Sequence, residues 1–173
     1  LNVDGDTLGD MCDGDNDNDG TPDADDAFPL NIMASSDTDN DGMPDSVRQF
    51  EDFESAGLIH FPWVTTAGYP WYIDNLKAHA GLYAVRSGAI GHFKKTSFEI
   101  SVTTGSYISF WVSTSTEGGY DFLRFYVDDQ LVTQWSGALN WQQYTKTLTP
   151  GNHRFKWEYS KDGSVTAGQD AVW

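Results

Sequence analysis

Aspartates recur at every second position near the start of the chain and could hold a cation through their carboxylate oxygens. With Asp15 counted as position 1, carboxylates stand at positions 1, 3, 5, 9 and 12, and a glycine stands at position 6, where a sharp turn is needed. Without a cation such a run repels itself, whereas a hard cation turns the same spacing into a cage of oxygen ligands. The predicted ligands of this loop are Asp15, Asp17, Asp19, the Thr21 carbonyl, Asp23 and Asp26.

The same spacing occurs twice more, so the sequence predicts three calcium loops of the EF-hand type. The upstream copy, with Thr7 at the glycine position, offers Asn2, Asp4, Asp6, the Leu8 carbonyl, Asp10 and Asp13. The downstream copy offers Asp37, Asp39, Asp41, the Met43 carbonyl and Asp45. Its position 12 is Arg48, which cannot be a ligand, so that site is open, completed by Glu51, or weak. The competing interpretation is a disordered acidic linker, which requires neither the threefold spacing nor the glycines.

The negative charge of the chain is concentrated in this region. The formal net charge is −16, and residues 1–48 hold fourteen of the 26 acidic residues but only one of the ten basic ones. This acidity argues against nucleic acid or an anionic membrane as a partner, because either would be repelled. No apolar run approaches the roughly 20 residues that span a bilayer. Calcium loops fill best at millimolar, extracellular calcium, so the chain is predicted to be secreted or exposed at a cell surface.

The composition changes at about residue 49, where aromatic and β-branched residues replace the aspartates. In 106–113 the side chains of Tyr107, Ser109 and Trp111 alternate with Ile108 and Phe110, as in a half-buried strand. Further strands are predicted within 81–86, 96–102, 121–128, 130–135, 141–148 and 153–160. The sequence therefore predicts a mainly β chain with an irregular calcium-binding arm (1–48) followed by an antiparallel β-sandwich (49–173). The residues expected in its core include Phe98, Trp111, Phe125 and Trp157.

The sandwich carries no recognisable catalytic constellation. The four histidines, His60, His79, His92 and His153, lack ligand or triad spacing, and no nucleophile, metalloprotease or phosphate-binding motif is present. Glu51 and Glu54 lie near one end of this region and Asp170 near the other. A pair of carboxylates can serve as general acid and base, but nothing else in the chain supports catalysis. The chain is predicted not to be an enzyme.

Aromatic residues beside prolines are the predicted ligand-binding residues of the sandwich. They are Trp63, Tyr69, Trp71 and Tyr72, in the segments 61–64 and 68–72. Exposed rings flanked by rigid turns can stack on the apolar faces of sugars or anchor a protein partner. The competing interpretation is that the two Pro-Trp units plug one end of the sandwich as a loop core.

Residues 2–47 resemble the thrombospondin type 3 repeats of secreted bacterial proteins. The resemblance rests on the repeated Asp-x-Asp-x-Asp-Gly-x-x-Asp pattern and on the segments 9–13 (GDMCD) and 26–29 (DAFP) between the repeats. It implies a chain wrapped around a row of calcium ions, with almost no apolar core of its own. In that family the cysteine commonly pairs with one in a preceding repeat, so Cys12 is expected to be unpaired and Leu1 to lie inside a longer array.

Residues 50–173 resemble a MAM-type jelly roll and similar jelly-roll modules of secreted bacterial hydrolases. The resemblance follows the order of the segments 50–55 (FEDFES), 81–88 (GLYAVRSG), 108–112 (ISFWV), 122–128 (FLRFYVD), 135–137 (WSG) and 167–173 (AGQDAVW). It implies a structural calcium ion between an N-terminal acid, Glu51 or Glu54, and the C-terminal Asp170. It also implies a last strand truncated after Trp173. MAM domains usually carry disulfides, whereas this region has no cysteine.

Together these patterns predict a monomeric, non-catalytic, calcium-binding extracellular module that stabilises and positions a larger secreted protein. The cofactor is predicted to be several Ca²⁺ ions, and the sandwich is predicted to bind a polysaccharide. The alternatives are an adhesion module that contacts protein and a structural spacer with no ligand but calcium.

Overall fold

The chain divides into two compact units, Leu1–Phe50 and Glu51–Trp173. The computed structural model describes residues 2–5, 7–38, 40–44 and 51–173. The predicted boundary between residues 48 and 49 lies outside these ranges, and so do the predicted ligands Asp6, Asp39 and Asp45.

The described part of the first unit consists of turns and bends, without a helix or a strand. Its apolar side chains form no extensive core: Ala34 is buried, whereas Leu8, Met11 and Leu30 are exposed. The side chains of Asp17 and Asp26, by contrast, are buried. Polar groups thus occupy the interior of this unit, an arrangement that costs free energy unless those groups have partners.

The second unit contains ten strands, and every pairing between them is antiparallel. They are β1 (Val64–Thr65), β2 (Tyr72–Asp74), β3 (Ala84–Arg86), β4 (Lys95–Thr104), β5 (Tyr107–Ser115), β6 (Phe122–Val127), β7 (Gln130–Trp135), β8 (Ala138–Thr147), β9 (Gly151–Ser160) and β10 (Ala171–Val172). A five-stranded sheet has the order β1-β4-β9-β6-β7, a three-stranded sheet the order β10-β5-β8, and β2 pairs with β3. None of the described residues forms a helix that could cross a bilayer.

The core lies between the five-stranded and the three-stranded sheets. One cluster joins Phe98, Leu123 and Tyr159 of the larger sheet to Val112 and Val172 of the smaller one. A second cluster, centred on the buried rings of Phe125 and Phe155, contacts Phe110 and Tyr144 of the smaller sheet. The prediction of a mainly β chain with an antiparallel β-sandwich is therefore confirmed.

The expectation that Trp111 belongs to this core is wrong. Phe98 and Phe125 are buried and Trp157 packs against the core, but Trp111 is 42% exposed. Successive side chains of a strand point to opposite faces, and Trp111 is in phase with Ser109 rather than with Phe110. The large apolar ring of Trp111 is thus displayed on the outer face of the three-stranded sheet.

The strands that the alternation pattern missed are short. β1, β2 and β10 contain two or three residues each, too few for a period of two to be recognised. The predicted strand at 81–86 is likewise reduced to Ala84–Arg86. The loop between β2 and β3 carries His79, whose imidazole stacks on Trp111 of β5.

Candidate functional sites

The central loop of the acidic unit brings three of its predicted ligands together. One carboxylate oxygen from each of Asp15, Asp17 and Asp19 lies within 4.8 Å of the other two. Oxygen atoms around one Ca²⁺ ion bind at 2.3–2.6 Å, so two ligands on opposite sides of the ion are about 5 Å apart. The spacing of these carboxylates therefore fits a single cation.

Several oxygens in this loop are buried without a hydrogen bond. Asp17 is 2% exposed and Asp26 is 9% exposed. Within the described ranges, Asp15 Oδ1, Asp17 Oδ2 and Asp26 Oδ2 have no hydrogen-bond partner. Buried polar atoms of native proteins almost always have a partner, so the three oxygens at positions 1, 3 and 12 are expected to bind one. A cation would be such a partner.

The electrostatic environment of Asp17 also favours a positive ligand. Burial raises the pKa of its carboxyl group, and the nearby carboxylates of Asp19 and Asp26 raise it further, against the opposing effect of the Asp19 backbone N–H. Desolvation and like charges both disfavour the ionised form. A bound cation would reverse both effects and keep the Asp17 carboxylate charged.

The backbone of the loop is shaped by its glycine. Gly20 has φ of 93°, in the left-handed region that glycine enters without steric cost, and its N–H donates to Asp15 Oδ2 over 3.1 Å. In the third copy Gly42 has φ of 81° and donates to Asp37 Oδ2 over 3.0 Å. Position 6 therefore turns the chain and orients the carboxylate at position 1 in both copies.

A second turning position was missed by the sequence analysis. At position 4, Asn18 and Asn40 have φ of 55° and 56°, and Gly5 in the first copy has φ of 76°. Asparagine and glycine tolerate this left-handed conformation better than other residues. The signal was present in the sequence, because all three copies carry one of these two residue types at this position.

The first copy and the central loop each contain an equivalent hydrogen bond. The backbone N–H at position 2 donates to the aspartate at position 9 in both, from Val3 to Asp10 over 3.0 Å and from Asn16 to Asp23 over 2.9 Å. The Asn18 side chain donates to Asp4 Oδ2 and so links the two copies. Of the described residues in the acidic unit, only those of the central loop form a compact group of three carboxylates.

The other predicted ligands of the described repeats have local partners. Asn2 accepts from the Gly5 N–H, Asp13 from the Asp15 N–H, and Asp41 from the Met43 N–H. These are backbone hydrogen bonds between near neighbours, and they hold each loop in a turn. The carbonyl groups of Leu8, Thr21 and Met43 stay predicted ligands.

The structure does not gather Glu51, Glu54 and Asp170 around one ion. Glu51 accepts hydrogen bonds from the Phe53 N–H and the Trp63 indole, and Glu54 accepts from the Leu82 and Tyr83 N–H groups. The Asp170 carboxylate accepts from the Tyr159 hydroxyl and from Lys161. Among the described residues, neither close group of three carboxylates includes Glu51, Glu54 or Asp170, so a calcium ion between these ends stays a prediction.

The expectation that Trp63 and Trp71 present stacking faces is wrong. Trp71 is 4% exposed and belongs to the core. Trp63 is half-buried and stacks on Phe98 with ring centroids 4.2 Å apart. The two Pro-Trp units thus fill the core, as the competing interpretation had it. Of the four predicted aromatic ligands, only Tyr69 and Tyr72 are exposed.

A different aromatic surface lies on the outer face of the three-stranded sheet. The His79 imidazole stacks on the Trp111 indole with centroids 3.7 Å apart, and its edge faces Trp141 at 6.0 Å. Lys77 Nζ lies 4.5 Å from the ring centroid of Trp173 and donates to Ser113 Oγ over 2.6 Å. Burial lowers the pKa of the Lys77 ammonium group. We call Lys77, His79, Trp111 and Trp141 the aromatic surface.

Polar side chains continue this face along β5 and β8. Gln143 pairs with Trp111 in the sheet and donates to Ser109 Oγ over 3.1 Å, while Ser109 Oγ lies 3.0 Å from Thr145 Oγ1. All three polar residues are exposed. An exposed indole beside a row of amide and hydroxyl groups offers both a stacking platform and hydrogen-bond partners for a polyhydroxylated ligand.

No protein-family model matches the chain, and no curated protein matches it either. Among solved structures, the chain is similar to the secreted serine protease VesC from Vibrio cholerae, with 11% identity and a TM-score of 0.47 over 69% of this chain. This chain spans only 24% of the length of that protease.

Two carbohydrate-binding modules are also similar in structure to this chain. TmCBM61, solved in complex with β-1,4-galactotriose, has 19% identity and a TM-score of 0.45 over 70% of this chain and 93% of its own. A family 35 module from Clostridium thermocellum has 13% identity and a TM-score of 0.38 over 64% and 91%, respectively. With TM-scores under 0.5, none of these likenesses bears on what this chain binds.

Proposed function

We propose that the acidic unit binds calcium ions and that the central loop, Asp15 to Asp26, is its best-formed site. The observation that carries this proposal is the set of buried oxygens without hydrogen bonds, Asp15 Oδ1, Asp17 Oδ2 and Asp26 Oδ2. Hard oxygen ligands at the spacing of a 12-residue calcium loop favour Ca²⁺ over softer metals. Several ions are expected, since the third copy repeats the turn geometry of the central loop.

The experiment is a calcium titration of the whole chain by calorimetry, with thermal melts in calcium and in chelator. We expect several ions to bind and the unfolding temperature to rise, because a ligand at 100 times its Kd stabilises the folded state by about 2.7 kcal/mol. Asp17→Asn should remove at least one ion. Asp25→Asn is the matched control, because Asp25 is exposed and lies outside the ligand spacing.

An absence of binding at millimolar calcium would reduce the acidic unit to a charged tether. Equal loss of calcium in Asp17→Asn and Asp25→Asn would show that ions bind diffusely to the negative charge rather than in the central loop. Binding in the central loop requires that Asp17→Asn lose calcium and that Asp25→Asn retain it.

We further propose that the sandwich is a non-catalytic module that binds a carbohydrate on the aromatic surface. Trp111 supports this second proposal, because its indole is 42% exposed and lies with His79 and Trp141 on one sheet face, where an aromatic ring can stack on a sugar. The polar row of Ser109, Gln143 and Thr145 beside it provides hydrogen-bond partners for sugar hydroxyls. The exposed rings of Tyr69 and Tyr72 form the second candidate surface.

A glycan array probed with the whole chain tests this proposal, followed by affinity measurements on polysaccharides that bind. We expect Trp111→Ala to weaken binding at least tenfold and Tyr69→Ala to leave it within about twofold, since loss of a stacking ring removes a central contact. A larger loss of binding in Tyr69→Ala than in Trp111→Ala would indicate that the carbohydrate binds at Tyr69 and Tyr72 instead. No binding to any glycan would favour an adhesion module or a structural spacer.

An extracellular or cell-surface location is part of the same proposal. Weak and moderate calcium loops are filled at the millimolar calcium concentration outside cells. The calcium-loaded arm would then stiffen the chain and protect it from proteolysis, while the sandwich positions an attached protein on its ligand.

A further inference from the structure

Three carboxylates of the sandwich meet, those of Glu117 and Asp121, four positions apart, and that of Asp162, which is distant in the sequence. Asp121 directly precedes β6 and Asp162 follows β9, and these strands pair with Phe122 opposite Ser160. The Asp162 N–H donates to Asp121 Oδ1 over 3.0 Å. The Asp121 N–H in turn donates to the Glu117 carbonyl over 3.2 Å, which closes the loop between β5 and β6.

The carboxylates of this group lie close enough together to contact one cation. One oxygen from each of the three carboxylates lies within 4.8 Å of the other two, the same limit that Asp15, Asp17 and Asp19 satisfy. Asp121 is fully buried, whereas Glu117 and Asp162 are partly exposed. The partial exposure of Glu117 and Asp162 leaves room for water to complete a coordination sphere.

Two oxygens of the group are buried without a hydrogen bond. Asp121 is 0% exposed, and neither Asp121 Oδ2 nor Glu117 Oε2 has a hydrogen-bond partner anywhere in the described ranges. An ionised carboxylate that is fully removed from water costs several kcal/mol unless a cation or hydrogen bonds compensate it. Such oxygens point to a missing positive partner.

Lys161 forms an ion pair with Asp121 but compensates this group only in part. Its Nζ lies 3.7 Å from Asp121 Oδ2, beyond hydrogen-bond range, while it donates hydrogen bonds to Asp170 and to Thr166 Oγ1. One buried ammonium group thus interacts with three carboxylates, those of Glu117, Asp121 and Asp170. The group retains a surplus of negative charge even when Lys161 is counted in full.

We propose that Glu117, Asp121 and Asp162 bind a hard divalent cation in the sandwich, and that this ion is Ca²⁺. All three ligands are carboxylates, which suit Ca²⁺, and none is the thiolate or imidazole that zinc or copper would favour. The ion ties the loop between β5 and β6 to the end of β9. It thereby holds the segment that leads through Asp170 to the last strand.

This site is independent of the acidic unit, so its test must separate the two. Calcium stoichiometry is measured by calorimetry on the whole chain and on the variants Glu117→Gln, Asp162→Asn and Asp17→Asn. We expect Glu117→Gln and Asp162→Asn each to lose one ion, or to weaken one site at least tenfold. Asp52→Asn is the charge-matched control, because Asp52 is exposed and outside the group.

The unfolding temperatures of the same variants in chelator distinguish a metal site from a purely structural role of the three carboxylates. If the carboxylates repel one another without an ion, removing one charge keeps or raises the unfolding temperature in chelator and abolishes only the calcium-dependent increase. A variant that instead lowers the unfolding temperature in chelator while retaining the wild-type number of calcium ions would overturn the proposal.

A shared proton is the other way to relieve this repulsion. Burial raises the pKa of the Glu117 carboxyl group, and the carboxylates of Asp162 and Asp121 add to this effect, against Lys161 and His92. If a proton rather than a cation is held there, Glu117→Gln leaves the calcium stoichiometry unchanged at pH 7.5, and the metal site is refuted. Loss of binding in Asp17→Asn alone would leave the acidic-unit proposal intact and refute this one.

Discussion

The imidazole of His79 lies against the indole of Trp111, with the ring planes inclined by 14° and the centroids 3.7 Å apart. The two residues are 32 positions apart, and the loop between β2 and β3 brings His79 over the outer face of β5. His79 therefore covers one side of the indole and orients it, while the Trp111 residue stays 42% exposed. The aromatic surface is thus assembled by a loop and a sheet rather than by one segment.

His79→Ala should weaken polysaccharide binding less than Trp111→Ala does. Aromatic pairs contribute about 0.5–1.5 kcal/mol beyond their buried area, so loss of the positioning ring is expected to weaken affinity by about two- to tenfold. Affinity electrophoresis on a glycan identified by the array measures both variants, and His60→Ala is the control outside the aromatic surface. Unchanged affinity in His79→Ala would show that the imidazole does not position Trp111.

Trp71→Ala and Trp111→Ala should differ in stability although the chemical change is identical. Trp71 is buried in the core and Trp111 stands on the outer face of the sheet. Truncating a buried tryptophan costs about 3–5 kcal/mol, whereas an exposed one leaves no cavity and should cost under about 1 kcal/mol. Urea denaturation of the two variants compares them directly. Similar losses would mean that Trp111 is covered in solution.

Gly88→Ala should destabilise the sandwich. A Cβ atom at this position would lie 2.5 Å from the Tyr69 carbonyl oxygen and 2.6 Å from that of Pro70, so backbone must move to admit it. Overpacking of this kind costs about 1–3 kcal/mol. Gly91→Ala is the control, since no atom lies within 4 Å of its added Cβ. Thermal denaturation of both variants measures the difference, and equal unfolding temperatures would contradict the close approach.

Gly20→Ala should weaken calcium binding through the backbone alone. Its added Cβ meets no atom within 4 Å, but its φ of 93° is strained for any residue with a side chain. Left-handed backbone costs about 1–2 kcal/mol, which corresponds to roughly five- to thirtyfold in affinity. Gly14→Ala, also without contacts and without a positive φ, is the control in the calcium titration. Equal affinities would show that position 6 does not require glycine.

The stabilisation by His153 should depend on pH. The Thr149 carbonyl, followed by the Asp128 carboxylate, raises the pKa of the His153 imidazole, whose two nitrogens lie 2.8 Å and 2.7 Å from these acceptors. Because the folded pKa is above the unfolded one of about 6.5, the stabilisation is complete below pH 6.5 and is lost as the pH rises through the folded value.

Thermal melts of wild type and His153→Gln between pH 5.5 and pH 9 test this sign. The Asp128 carboxyl group, whose pKa is lowered chiefly by the Arg154 N–H and then by His153, stays ionised throughout this range. The difference in unfolding temperature should therefore be largest at the acidic end. A difference that grows toward pH 9 would show that neutral His153 is the stabilising form.

The sequence by itself determined the features that depend on local spacing. The predicted ligand positions of the central loop follow from a 12-residue count, and the glycine at position 6 is needed by a turn that spans only a few residues. The long strands β4, β5, β6, β7, β8 and β9 likewise follow from an alternation that each segment carries within itself. The left-handed turn at Asn18 is local as well, since it depends on a residue type that tolerates a positive φ.

Only the tertiary structure decided which side of each segment is covered. Alternation along β5 separates Trp111 from Phe110, but the second sheet determines that the Phe110 face is the inner one. In the same way Trp71 becomes a core residue because Phe98 and Tyr159 arrive from other strands. Asp121 and Asp162, 41 positions apart, meet through the pairing of β6 with β9. Burial and ligand convergence are properties of several segments at once, so spacing within one segment cannot encode them.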